Sequence, residues 1–181
     1  MLDDGHGGRL LTRTVDLRLI QIAEVLRNCS CSTELARRLL SVAGQIAQVA
    51  GWLAFDRGEH GLAQRLYLVG LRAATAAKDQ LLCGLILSCI ALQQAWRGRG
   101  HDAVSIMNTV DRALPHSAPP RVRALIGLRR ARAFASTDQH AETTTALESA
   151  FQALDHPSNA HEPASAYWVD AAVLASEAGR C

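Results

Sequence analysis

The chain has 181 residues, enough for one globular domain or a short repeat array. Apolar residues make up 49% of it, and its net charge of +2 is too small to argue for a nucleic acid or an anionic membrane by bulk electrostatics. Ala and Leu dominate and aromatics are scarce, so an all-α chain is expected.

No apolar run reaches the length of a membrane span. Residues 1–13 read as a flexible start with no apolar signal core. Cys83 and Cys89 sit in an apolar run as small core residues. Cys29 and Cys31 lack a second ligand pair at zinc spacing, so no metal is expected, and the reducing cytoplasm is the simplest home.

A first helix is predicted over 14–28, with Leu17, Ile20, Ile22, Ala23 and Leu26 on its apolar face. Ser32 or Thr33 can cap a second over 33–56, with Glu34 in its first turn where negative charge suits the dipole. Arg57-Gly58 breaks it, and a partner follows over 61–77. The next pair is expected over 80–97 and 101–114. Its first member is apolar almost all round, as for a helix covered on several sides. The run Pro115-His116-Ser117-Ala118-Pro119-Pro120 is the strongest breaker in the chain. A third pair is predicted over 121–136 and 141–154, then a last, unpaired helix over 163–178 opened by Pro163.

These pairs repeat. Gly51, Ala91, Ala131 and Ala171 are each 40 residues apart. Ala63, Ala103 and Thr143 follow as small residues in the second helices, then Tyr67, Met107 and Leu147 as large ones, then Gly70, Val110 and Ala150. Small, large, then mostly small resembles the tetratricopeptide repeat. The resemblance implies a helical-hairpin solenoid forming a single domain over 14–181. It would hold about three pairs (33–78, 80–114 and 121–154), an N-terminal helix and a C-terminal half unit over 163–178. The spacing exceeds the usual period of about 34 residues, so the helices or loops are longer. Arg130 and Asp170 stand where an apolar residue is usual.

The stretches Leu39-Leu40-Ser41-Val42-Ala43, Ala47 to Asp56, Gly61-Leu62-Ala63-Gln64-Arg65, Pro119 to Leu125 and Tyr167-Trp168-Val169-Asp170 carry a closer likeness. They resemble the C-terminal tetratricopeptide region of actinobacterial XRE-type, helix-turn-helix transcriptional regulators. That implies a sensor region for a ligand, peptide or partner, attached to a DNA-binding part. No helix-turn-helix is evident before Thr33, and the family's region usually continues past the equivalent of Cys181. Direct DNA binding by this chain alone is therefore not expected. A DNA-binding regulator in its own right, with residues 14–40 as its helix-turn-helix, and a truncated scaffold remain the alternatives.

In stacked hairpins the first helix of each pair lines the concave face. Register places Gln48, Trp52, Phe55 and Asp56 there from the first unit, and Ser88, Leu92 and Trp96 from the second. Leu128 and Arg132 come from the third and Trp168 from the last. Trp and Arg in a partly apolar concavity suit recognition of a protein or peptide partner or a small ligand, with a homodimer among the options. Burial of the same side chains against the helix at 14–28 is the competing reading.

Arg121, Arg123, Arg129, Arg130 and Arg132 spread round one helix and read as a solvated face, with contact to an acidic peptide or a phosphate as the alternative. His60, His101 and His140 fall at the three turns, too far apart for one metal when helices pack about 8–10 Å apart. No phosphate-binding glycine loop, nucleophile elbow or acid–base pair is present, so neither a cofactor nor an enzyme is expected.

Overall fold

The computed structural model describes residues 17, 18, 20–22, 24, 25, 28, 32–115, 117–155, 163 and 166–181. Among them the chain is all-helical, without strands. The helices are α1 (Thr33–Asp56), α2 (His60–Ala77), α3 (Gln80–Trp96), α4 (Gly100–Ala113), α5 (Pro120–Ala135), α6 (His140–Asp155) and α7 (Ala171–Ala178). The described residues between 17 and 28 are also helical. Residues 1–13, Cys29 and Cys31 lie outside the described residues. No helix among those described is long and apolar enough to cross a membrane. The chain divides into two compact units, Met1–Ile86 and Leu87–Cys181, with the division inside α3.

In the first unit α1 starts where Ser32 accepts a hydrogen bond from the Leu35 amide, with Glu34 in the first turn. Its buried face is built of small residues: Gly44, Ala47, Ala50, Gly51 and Ala54. The α2 face against it is Ala63, Tyr67, Gly70 and Ala74. Small residues on both sides let the backbones approach: a Cβ on Gly70 would stand 3.1 Å from the Gly44 carbonyl oxygen. Tyr67 is the one large plug, and a Cβ on Gly51 would come within 2.5 Å of its ring. Asp79 joins the end of this hairpin to the next helix. Its carboxylate accepts from the Ser41 hydroxyl at 2.8 Å and from the Leu82 amide at 3.0 Å.

In the second unit α5 and α6 form a hairpin, and α4 and α7 pack on it. Gly127 does for α5 what Gly44 does for α1, since a Cβ there would stand 3.0 Å from that of Ala150. Residues 88–94 of α3 are all buried, so every side of that helix is covered, as its apolar composition predicts.

The repeat is written into the turns. In the first turn Gly58 N donates to the Phe55 carbonyl, Glu59 N to Ala54 and Ala63 N to Glu59. In the second, Gly98 N donates to Ala95, Arg99 N to Gln94 and Ala103 N to Arg99. In the third, Asp138 N donates to Ala135, Gln139 N to Phe134 and Thr143 N to Gln139. Each turn reverses through one left-handed residue, at φ 75° for Gly58, 73° for Gly98 and 58° for Asp138. Glycine takes that conformation without a Cβ clash, and aspartate is among the few other residues that tolerate it.

The fourth unit departs from the pattern. The helix expected over 163–178 begins only at Ala171, because Asp170 caps it: its carboxylate accepts from the Val173 amide at 2.8 Å. Ala171 is exposed, unlike the buried Gly51, Ala91 and Ala131.

Candidate functional site

In the first unit the sequence places Gln48, Trp52, Phe55 and Asp56 along the C-terminal half of α1. Trp52 and Phe55 share one side of the last turns, their ring centroids 5.6 Å apart and tilted by 46°. His60, the first residue of α2, lies 5.6 Å from the Phe55 ring. The three rings form a small aromatic wall where the hairpin turns. Trp52, Phe55 and Gln48 are half-buried and Asp56 is exposed. The sequence places His60 at a hairpin turn, too far from the other turn histidines to share a metal. It is part of this wall, because the tight turn returns α2 alongside the end of α1.

In the second unit the expected residues separate. Ser88, Leu92 and Leu128 are buried, so they present no surface to a ligand. Trp96, the last residue of α3, is 56% exposed. The Arg132 guanidinium lies over its ring at 5.2 Å from the centroid, and Arg132 Nη1 also donates to the Arg180 carbonyl. A cation over an indole face is worth about 0.5–1 kcal/mol at an exposed site. The stack holds both side chains in one orientation while leaving much of the indole open. Cys181 lies beside this cluster. Burial pushes its thiol pKa up, Arg132 draws it down and Glu177 raises it further.

Trp168 is elsewhere. It sits in the turn before α7, not on a helix, so the register that puts it on a concave face does not apply. The carbonyl of its neighbour Tyr167 accepts a hydrogen bond from Arg121, near the start of α5. Arg121 and Arg132 are about 16 Å apart along that helix at 1.5 Å per residue. Trp96 and Trp168 therefore mark opposite ends of α5 rather than one site.

Apart from Arg123, which is exposed, the arginines of α5 are not a solvated face. Arg129 is buried, Arg121 and Arg132 reach carbonyl groups, and Arg130 pairs with Asp111 of α4 and lies 6.0 Å from the Phe134 centroid. Burial lowers the pKa of the Arg130 guanidinium. Because α5 packs against α4, α6 and α7, most of its circumference faces protein, and long cationic side chains lie along that surface. This also explains the two residues that break the repeat's apolar pattern. Arg130 is neutralised across the α4–α5 contact, and Asp170 caps a helix.

Among the described residues no three of His, Cys, Asp and Glu come together as a metal site. His101 and His140 are exposed. Tyr167 is the most exposed large apolar side chain among the described residues, and Asp170, which the sequence shows only as a break in the apolar pattern, is a helix cap. The capping preference of Asp ahead of Ala171-Ala172-Val173 is the signal that could have found Asp170.

Compared with known proteins, the chain matches no family model, no curated protein and no solved structure.

Proposed function

We propose that the chain is a non-enzymatic recognition module, built of tetratricopeptide-like hairpins and belonging to a transcriptional-regulator type of protein. It takes a peptide or protein segment on the surface around Trp96. The observation that carries this reading is the exposed Trp96 indole held under the Arg132 guanidinium. Trp and Arg are the residues that most often dominate binding energy, and here they are pre-ordered by each other, which lowers the entropy cost of engagement. The aromatic wall of Trp52, Phe55 and His60 offers a second contact surface of the same chemistry. The turn hydrogen bonds that recur every 40 residues support the hairpin-repeat reading.

Native mass spectrometry of the gently purified chain tests the proposal. A discrete bound mass that persists in the wild type and is lost in both Trp96→Ala and Arg132→Ala is the expected result. A bound mass that both variants retain would remove the Trp96 surface from the reading.

A further inference from the structure

A second feature of the Leu87–Cys181 unit lies apart from the Trp96 surface. A cleft of about 290 Å³ opens between the C-terminal end of α4, one face of α5 and the C-terminal half of α6. From α5 come Arg123, Ile126, Gly127 and Arg130, whose i, i+3, i+4, i+7 spacing puts them on one helix face. Asp111 of α4 and Leu114, just past its end, close it on one side, and Ser149, Gln152 and Ala153 of α6 on the other.

The polar groups are of two kinds. Arg130 and Asp111 neutralise each other. The Ser149 hydroxyl donates to the Thr145 carbonyl at 2.9 Å, which leaves it as an acceptor. The Arg123 guanidinium and the Gln152 amide, in contrast, make no ion pair or hydrogen bond with any described residue. The charge of the lining side chains is then two arginines less one aspartate, or +1. The rest of the lining is aliphatic: Leu114, Ile126 and Ala153.

We infer that this cleft binds a small monocarboxylate with a short aliphatic body. Arg123 presents a planar pair of donors that matches a carboxylate, and the Gln152 amide can donate to the same group. A single negative charge balances the lining, whereas a phosphate dianion would leave an excess. The volume sits at the lower end of ligand sites, which suits a small molecule. The carboxylate can belong to a free acid or to a peptide's C-terminus, since the cleft meets the same chemistry in both.

Hexanoate serves as the first probe, with hexan-1-ol and hexylamine as comparators, in saturation-transfer NMR and calorimetric titration of the full chain. Hexanoate is expected to bind while the alcohol and the amine do not. Arg123→Gln should weaken it about tenfold or more, the scale of a charge-assisted pair. Gln152→Trp should block the cleft, and Trp96→Ala should leave hexanoate binding unchanged. A pentapeptide with a free C-terminal leucine carboxylate, against its amidated form, distinguishes the two sources. If only the free-acid peptide binds, the carboxylate is a peptide's. Hexanoate that binds but no more tightly than hexanol, or whose binding is unaffected by Arg123→Gln, overturns the inference. So does failure of both carboxylates to bind. Because the Trp96 surface is read out separately, either conclusion can fail alone.

Discussion

Asp138 is in the left-handed region that Gly58 and Gly98 occupy at the equivalent turns. An L-residue there carries a local backbone cost, while glycine gives some of the gain back through unfolded-chain entropy. Asp138→Gly is therefore expected to raise stability by about 0.5 kcal/mol, and Gly98→Ala to lower it by about 1 kcal/mol. Urea denaturation midpoints at constant slope check both signs. A destabilised Asp138→Gly would mean that the aspartate contributes something besides the turn. The left-handed turn was legible from the glycine at two of three equivalent positions. The places of Arg129 and Arg130 were not. An arginine reads the same in sequence whether it is solvated or laid across a helix contact, and only the neighbour supplied by packing decides which.

Among the glycines that face another helix, Gly51 against Tyr67 is the tightest fit. In the second repeat the same two positions are Ala91 and Met107, both buried, a larger small residue with a slimmer, more flexible plug. Gly51→Ala forces its new methyl against the Tyr67 ring and is expected to cost about 1–3 kcal/mol. Adding Tyr67→Met reproduces the second repeat's pair and should recover part of that loss, giving a non-additive double-mutant cycle in denaturant unfolding. Additive losses would show that the two positions do not share one gap. α7 depends on its cap. Asp170→Ala removes the acceptor for the Val173 amide and should cost about 1 kcal/mol, seen as reduced protection of the α7 amides in hydrogen exchange. The ends of α1 to α6 were readable within a residue or so, because caps, glycine turns and prolines act locally. The start of α7 was misplaced because Pro163 supplied an equally valid local signal upstream.

For the whole molecule, exposure of the tryptophans is the most direct check. Trp96 is the most exposed of the three and stands beside a cation. Iodide should therefore quench it most, and Trp96→Phe should remove more of the total quenching than Trp52→Phe. Equal losses would place Trp96 under cover in solution. By itself the sequence determined that the chain is all-helical, where six of its helices start and stop, and that a 40-residue plan recurs. Apolar period and turn chemistry are properties of neighbouring residues, and they need no partner to be read. Only the tertiary structure decided that Ser88, Leu92 and Leu128 are core, that Trp96 and Trp168 flank α5 at opposite ends, and that one face of α5 opens into a charged cleft. Those outcomes depend on which surface each helix meets, and a helical period alone carries no record of that.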